Sequence, residues 1–525
     1  MKSLKFLVLA VSFVLSACSV SVRTGADKAA EAAKLSASSD IVELTFLQLN
    51  DVYEIAPVEN GKYGGMARVA AVRQNLLKEN PNIFTVLAGD FISPSAIGTA
   101  TFEGKRINGA QMIDAMNSVG VDFVTFGNHE FDLGYEVLQD RINQSKFMWI
   151  SSNIQYTPSQ EGFVAPFEKV VNGVAQPLPE SHIIRAKNSA GMEVRVGIFG
   201  LTIGSNQPPY VVWTDPFESA QRVYADLKTK TDIVIALTHL SIEEDRRLAE
   251  LIPDLKLILG GHEHTNMMFK VGETIISKAD ANARTVYIHR LRWSASTKSL
   301  SILSEVRTID STIPDELSTA NIVNEWTARA YKGFQERGFD PAEVVTTLRE
   351  PLDGRESSIR YRQTNLGSLV AQSMRASASK SGIAIFNSGS IRLDDQLAGT
   401  VTQYDIIRTL PFGGKLVEVE MKGSLLKRVL DAGQKNVGRG GFLQYDGVAF
   451  DTTKRAWVID GKAVDMNARY WVIVSDFLFS GRETGIEFFH KDDRDVVSVA
   501  EHNPSNANDL RKDIRLAVIA FLKSN

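Results

Sequence analysis

Potential metal ligands recur where apolar runs end in the first half of this 525-residue chain. They are Asp51 after "TFLQLN", Asp90 in "LAGD", Asn128 in "FGNHE", His239 in "ALTH", and His262 and His264 in "GGHEH". Carboxylates, imidazoles and a side-chain amide, with no thiolate among them, suit divalent ions. Two such ions about 3.5–4 Å apart can activate a water and stabilise a transferring phosphoryl group. The sequence therefore predicts a two-metal hydrolytic site.

Each of these endings has an ordinary structural explanation when it is taken alone. A Gly-Asp pair after a strand is commonly a turn, a lone histidine is commonly a core residue, and Asn128 could cap a helix. Five such endings in one region are hard to explain in this way. Gly89, Gly127 and Gly261 precede three of the candidates and would let the backbone turn tightly toward the ions.

The apolar runs have the length and composition of buried strands. They include "VELTFLQLN", "NIFTVLAGD", "DFVTFGNHE", "VRVGIFGLT", "DIVIALTHL", "LKLILGGHEH" and "TVYIHRLRW", with helical patterns between the early ones. This alternation predicts an α/β domain over residues 41–308. Ligands of an open α/β sheet gather at the carboxyl ends of its strands, so we expect the candidates to meet there. A linking helix is predicted within 309–345 and a second α/β domain over 346–525.

The bulk composition is that of a soluble globular protein with sizeable cores, at 44% hydrophobic and 23% charged residues. The formal net charge is −4, and no run of lysine and arginine stands out. Binding a phosphate backbone needs a clustered basic excess, so we expect no nucleic-acid partner. The sequence does not set the oligomeric state.

The first 17 residues, "MKSLKFLVLAVSFVLSA", have the charged start and short apolar centre of a signal peptide. Cys18, the only cysteine, ends "LSAC", which resembles the bacterial lipobox in which that cysteine is lipidated. Residues 18–40 are small and polar and read as a flexible tether. We therefore expect a protein anchored by lipid in a bacterial cell envelope. Ser19 favours the outer membrane if the source is Gram-negative, and a soluble secreted protein is the alternative.

The order of the strand-end motifs resembles the calcineurin-like metallophosphoesterases, and "FGNHEFD" (126–132) is its most specific piece. In the second half, "TNLGSLVAQSMR", "FNSGSIR", "LPFGG" and "SDFLFSG" resemble the C-terminal domain of 5′-nucleotidases. That family includes periplasmic UDP-sugar hydrolases and the animal ecto-5′-nucleotidase. The resemblance implies a four-layer α/β/β/α metallophosphoesterase domain, a linking helix and an α/β substrate-binding domain. It further implies hydrolysis of nucleotide phosphate esters by a metal-bridging hydroxide.

The resemblance also assigns roles to the candidate ligands. Asp90 would bridge two divalent ions, either zinc, manganese or a mixture of metals. One ion would be held by Asp51 and His264, and the other by Asn128, His239 and His262. His129 would contact the scissile phosphate, and Asp132 would orient it. Asp132 could instead be a helix N-cap.

The substrate motifs place further roles in the second domain. Phe412 and Phe477 would sandwich the nucleobase, a contact worth roughly 1–3 kcal/mol by analogy with stacking in nucleic-acid complexes. The alternative is that both rings are core. Arg360 and Arg392 would bind phosphate, because a planar fork of donors suits it. Asn387 and Arg362 are secondary candidates.

Two positions depart from the family pattern. Glu483, in "SGRETGIEF", stands where relatives place an aspartate on the ribose hydroxyls, which puts nucleoside specificity in doubt. Tyr53 stands where the family usually has a histidine ligand. One hypothesis is a ferric or mixed-metal site with a tyrosinate ligand. The other, which we favour, is that Tyr53 does not bind, because "GDFIS" lacks the tyrosine that purple phosphatases place there.

Other functions are compatible with these departures. An enzyme of the same fold could act on cyclic nucleotides or on another phosphate or sulfur ester. A non-catalytic nucleotide-binding lipoprotein is a further alternative, since one metal position is altered. A purely structural envelope protein would need none of the strand-end ligands.

Overall fold

The computed structural model describes residues 40–158, 162–205 and 208–524. The predicted signal peptide, Cys18 and nearly all of the predicted tether lie outside these residues. Among the described residues, none of the helices combines the length and the apolar character that a membrane crossing requires.

The first domain contains two six-stranded sheets. The first sheet has the strand order Ser299–Thr308, Thr285–Ser294, Ile41–Leu49, Ile83–Ala88, Phe123–Thr125, Met148–Trp149. The second has the order Ser181–Lys187, Glu193–Thr202, Ile233–His239, Leu257–Gly260, Thr274–Lys278, Met267–Val271. Strand Thr285–Ser294 of the first sheet and the edge strands Ser181–Lys187 and Met267–Val271 of the second run antiparallel to their neighbours. The other neighbours run parallel, so their carboxyl ends lie at one edge.

The two sheets pack face to face, as the four-layer prediction requires. Alternate side chains of the strands fill one shared core, for example Leu44 and Phe46 against Val196 and Ile198. Helices Met66–Glu79, Ala110–Val119 and Tyr135–Gln144 cover the outside of the first sheet. Helices Pro216–Lys228 and Ile242–Leu251 cover the outside of the second.

The linking helix runs over Leu317–Glu336, inside the predicted 309–345 segment. It packs on the first domain, because Thr319 bonds Ser118 at 2.8 Å and Trp326 donates to Asp114 at 3.0 Å. A side chain at Gly333 would lie 2.1 Å from the carbonyl oxygen of Thr101, so the helix touches the domain closely.

The second domain is built on a five-stranded sheet that begins after strand Val344–Asp353. Its strand order is Leu443–Asp446, Ile383–Asn387, Arg469–Ser475, Leu416–Lys422, Val496–Ala500. Alternate residues of the central strands point to opposite faces. Helices Asn365–Ser377 and Ile514–Ser524 cover one face, and Gly423–Lys435 covers the other. Short helices Glu356–Ile359 and Gln403–Thr409 lie toward the first domain.

Candidate active site

The carboxyl ends of the central strands bring candidate ligands together. Asp51 and Asp90 follow neighbouring strands of the first sheet, and His239 ends a strand of the second. One ligand atom from each lies within 4.8 Å of the other two, and all three residues are buried. The face-to-face sheets thus converge on one cluster of predicted ligands.

Asp51 is held by two donors on one carboxylate oxygen. The side-chain amide of Asn50 donates to Oδ2 at 2.8 Å, and the backbone N–H of His262 donates at 3.0 Å. The other oxygen, Oδ1, faces Nε2 of His264 at 3.5 Å. That geometry leaves one oxygen of Asp51 directed at the cluster.

Asp90 faces His239. The backbone N–H of His129 donates to Asp90 Oδ1 at 2.8 Å, and Oδ2 lies 3.2 Å from His239 Nε2. His239 Nδ1 donates to the carbonyl oxygen of Ala88 at 2.7 Å, which orients Nε2 toward the cluster. Burial opposes a charge on this imidazole, but the carboxylates of Asp90 and Asp51 raise the pKa of His239 to about 9.

The remaining predicted ligands line the same edge. The His262 ring packs edge-on against the His239 ring at 5.3 Å between centroids. Asn128 is buried and directly precedes His129, whose backbone binds Asp90. His264 closes the opposite side of the cluster, near Asp51.

Three of the candidate ligands hold backbone conformations that are costly for residues with side chains. Their φ angles are 52° at Asp51, 55° at Asp90 and 85° at His262. Such conformations persist where the surroundings enforce them, which is common at functional sites. Gly127 allows the close approach, because a Cβ there would lie 2.1 Å from Asp90 Oδ1.

Glu130 is a supporting residue that the motif analysis did not single out. Its buried carboxylate accepts backbone N–H groups of Asp90, Phe91, Ile92 and Gly127 at 2.5–3.1 Å. It thereby ties the turn that carries Asp90 to the turn that carries Asn128. A signal was present, since a glutamate in an otherwise apolar and glycine-rich motif needs partners once it is buried.

Tyr53 points into the cluster. Its hydroxyl lies 3.4 Å from Asp51 Oδ1, 3.2 Å from Asp90 Oδ2 and 3.1 Å from His264 Nε2. Burial, followed by the charges of Asp90 and Asp51, raises the pKa of Tyr53 well above its ordinary value. The residue is therefore a neutral phenol in this state, and it occupies the place of the expected histidine.

His129 stands between the two domains. Its Nδ1 lies 2.8 Å from Asp132 Oδ2, the partner the sequence predicted. Arg392 of the second domain donates from Nη2 to His129 Nε2 at 2.9 Å. Arginine carries only donors, so Nε2 is the acceptor and Nδ1 bears the proton that Asp132 accepts. The structure thus joins a predicted catalytic residue to a predicted phosphate-binding residue.

Arg360 lies near this contact and is already paired. Glu356 Oε1 accepts from its Nε at 2.9 Å and from its Nη2 at 2.6 Å, and Ser388 accepts from Nη1 at 3.3 Å. Arg360 is buried. Arg362 instead points to the surface and bonds Asp353 at 3.2 Å, so the structure does not bring it to the site.

The two predicted base-binding rings are exposed, which rules out the core alternative. Phe412 is 56% exposed and Phe477 is 39% exposed. They lie on adjacent segments, since the backbone N–H of Asp476 donates to the carbonyl of Lys415 at 2.9 Å. The guanidinium of Arg482 lies 5.5 Å from the centre of the Phe477 ring.

Glu483 does not extend toward solvent in the way that ribose binding would require. It is buried and accepts from the side-chain amide of Asn387 at 2.7 Å. Burial raises its pKa, against the opposing effects of Asn387 and Arg360. The structure therefore pairs these two predicted substrate residues with each other.

The donor set fits divalent ions. Two carboxylates and the imidazole of His239 converge within 4.8 Å, and a second imidazole, that of His264, lies 3.5 Å from Asp51. No thiolate is among them, and one oxygen of each carboxylate faces the cluster. Carboxylates and protonated histidines crowd the same space, and an ion would replace the histidine proton. Tyr53 stands where a histidine is expected, and its neutral phenol is a weaker metal donor than an imidazole.

Both halves of the chain match known protein families. Residues 44–266 match the calcineurin-like phosphoesterase family, and residues 344–490 match the 5′-nucleotidase C-terminal domain. The chain is thus a phosphoric ester hydrolase of the calcineurin-like class, whose members depend on a dinuclear metal centre. With its second domain, it belongs to the 5′-nucleotidase family.

Relatives resemble it along most of their length. A 5′-nucleotidase of Mus musculus is 28% identical over 469 residues, covering 79% of this chain and 76% of the relative. A 5′-nucleotidase of Vibrio cholerae is 26% identical, covering 84% and 85%. The crystal structure of a 5′-nucleotidase precursor from Thermus thermophilus has a TM-score of 0.71 at 23% identity, covering 92% and 96%, and this likeness concerns the fold.

Proposed function

We propose that this protein releases phosphate from 5′-nucleotides with two divalent ions bound at Asp51, Asp90, Asn128, His239, His262 and His264. The observation that carries the proposal is the contact between His129 and Arg392. It brings the candidate phosphate-binding residue of the second domain to the candidate catalytic residue of the first. UDP-sugars are further candidate substrates, because the family that the sequence resembles includes periplasmic UDP-sugar hydrolases.

Each group of residues would have a separate role in the reaction. Bound ions would activate a water for attack on phosphorus and neutralise phosphoryl oxygens. Asp132 holds the Nδ1 proton of His129, which turns Nε2 toward the position of the leaving oxygen. Arg392, which donates to Nε2 of His129 in this structure, would donate to the phosphate of a bound substrate instead. Phe412 and Phe477 offer exposed ring faces to the base.

A turnover assay tests this proposal. Phosphate release is measured from AMP, UMP and a UDP-sugar with added Mn²⁺ or Zn²⁺, and the metal content of the same sample is determined. We expect release from at least one substrate by protein that carries two ions. Absence of turnover on all of them, with metal bound, would refute it.

A second candidate function rests on the burial of Glu483. Because this carboxylate is bonded to Asn387, the ribose contact of the resembled family is not available in this state. Hydrolysis of a cyclic nucleotide or of another phosphate or sulfur ester would need no such contact. Turnover of 2′,3′-cyclic AMP that exceeds turnover of AMP would favour this candidate.

The proposed location is the cell envelope, with a lipid on Cys18 that anchors the chain. The support is the lipobox-like "LSAC" and the polar segment that follows it. Two or more acyl chains give stable anchoring where one would not. Cys18→Ser should release the protein from the membrane fraction or block its processing, whereas normal processing and retention would point to another anchor.

A further inference from the structure

The outer nitrogen of His264 is bound by the other domain. Its Nε2 faces the cluster, 3.1 Å from the hydroxyl of Tyr53. Its Nδ1 lies 2.8 Å from Asp394 Oδ2 and 3.2 Å from Glu356 Oε2, both of the second domain. A metal-binding histidine commonly donates its other N–H to a carboxylate, which fixes the ring and raises its basicity. Here that carboxylate is supplied across the domain interface.

His239 provides the contrast within the same cluster. Its outer nitrogen donates to the carbonyl of Ala88, in its own domain. The orientation of His239 therefore does not depend on where the second domain lies. His264 loses both of its outer partners if that domain moves away.

The two carboxylates are themselves held in place. The backbone N–H of Glu356 donates to Asp394 Oδ1 at 2.8 Å, which leaves Oδ2 directed at His264. Asp394 has a φ of 48°, so its backbone is fixed in a conformation that is costly for an aspartate. Glu356 is oriented by its two bonds to Arg360. The pair is thus a built acceptor rather than a chance contact of mobile side chains.

We propose that Asp394, assisted by Glu356, is a positioning residue that couples ion binding at His264 to closure of the two domains. The inference rests on the two-metal site of the proposed function. Removal of an outer-shell partner commonly lowers metal affinity 10–100-fold. The effect should concentrate on the ion near Tyr53, where a phenol replaces a strong ligand. By linkage, an ion that binds better to the closed state must in turn favour closure.

Metal titration tests the first half of the proposal. Zn²⁺ affinity is measured by chelator competition on the full chain and on Asp394→Asn and Glu356→Gln. We expect two ions in the wild type, and one of them bound 10–100-fold more weakly in Asp394→Asn with the other unchanged. Glu356→Gln should weaken it less. Asp492→Asn, whose side chain is 74% exposed, is the matched control. If Asp394→Asn binds each of the two ions as tightly as the wild type does, the proposal is overturned.

Domain distance tests the second half of the proposal by a measurement that does not use metal affinity. Dyes are placed on Thr297→Cys and Thr453→Cys, both exposed and in different domains, with Cys18→Ser as background. Zn²⁺ should shift energy transfer toward the closed distance in this protein and should shift it much less when Asp394→Asn is added. Energy transfer that does not change when Zn²⁺ is added would overturn the coupling. Nucleotide turnover on the same sample tests the proposed function separately.

Discussion

At the scale of single residues, Tyr53 lies in the ligand cluster where the sequence resemblance leads us to expect a histidine. The hydroxyl touches three candidate ligands at 3.1–3.4 Å, close enough to compete with an ion or to join one. A phenol with a raised pKa is a poor ligand for Zn²⁺ or Mn²⁺, and only a strongly Lewis-acidic ion such as Fe³⁺ would bind it readily as phenolate.

Tyr53→Phe separates the two hypotheses for this residue. We expect nearly unchanged metal content, because Asp51, Asp90 and His264 remain to hold the ion. Loss of the ion, together with loss of a tyrosinate-to-iron absorption band, would establish the ferric alternative. Tyr53→His should tighten the site by restoring an imidazole donor. A site that empties in Tyr53→His would weaken the assignment of Asp51 as a ligand.

His129 should matter for turnover and not for metal binding. The partners of its two ring nitrogens are Asp132 and Arg392, which are not predicted metal ligands. His129→Ala should lower kcat by at least ~10²-fold, the lower range for a positioned acid or charge stabiliser. Metal analysis of the same variant should find the ions retained. Unchanged kcat would remove His129 from the mechanism.

The strand-end ligands could be predicted from the sequence, whereas the supports that come from the second domain could not. Asp51, Asp90 and His239 follow apolar runs whose parallel packing forces their ends together. Asp394 carries no such signal, because its partner His264 lies 130 residues away in another domain. Glu356 could not be found for the same reason, since its contact depends on how the domains dock.

At the scale of elements, the strand Thr285–Ser294 carries a titratable group that the mechanism does not use. His289 is fully buried and bonds Gln48 at 2.9 Å and Ser304 at 2.7 Å. Burial lowers the pKa of His289 to about 3. The unfolded chain would bind a proton near pH 6.5, so the folded state binds fewer protons below that value.

Acid should therefore destabilise the first domain through His289. The contribution of the neutral imidazole is complete above pH 6.5 and is lost as pH falls toward 3. Between pH 7 and pH 5 this amounts to about 2 kcal/mol. In His289→Gln, the free energy of urea unfolding should fall by about 2 kcal/mol less over that interval. The half-buried His490→Gln is the control, and an unchanged pH slope in His289→Gln would contradict the assignment.

The linking helix shows what a periodic pattern does not specify. The sequence predicted a helix within residues 309–345, and the helix is present at Leu317–Glu336. The pattern could not say which domain the helix would contact. Because the helix packs on the first domain, we place the hinge after it, near Gly338, whose φ is 87°.

At the scale of the whole molecule, the two domains lie against each other at the site. Besides the contacts of His129 and His264, Tyr404 donates to Glu54 at 3.2 Å across the interface. The cavity at the candidate site, lined by Tyr53, His264, Arg360 and Arg392, has a volume of only about 10 Å³. A second cavity between the domains, of about 510 Å³, is lined by Asn60 and Ala398 and has no candidate ligand in its lining. Ligand pockets of about 300–1,000 Å³ are typical, so a nucleotide needs the domains to separate before it can enter.

Preventing that separation should slow turnover reversibly. Asn60 of the first domain donates to the carbonyl of Ala398 of the second at 2.7 Å, so Asn60→Cys and Ala398→Cys can be joined by a short cleavable crosslinker. The joined form should lose most of its nucleotide turnover and regain it on cleavage, because substrate entry requires movement at the hinge. Each single-cysteine variant treated with the same reagent controls for modification. Full activity of the joined protein would show that substrate reaches the site without domain movement, and the closed arrangement would then be the working one.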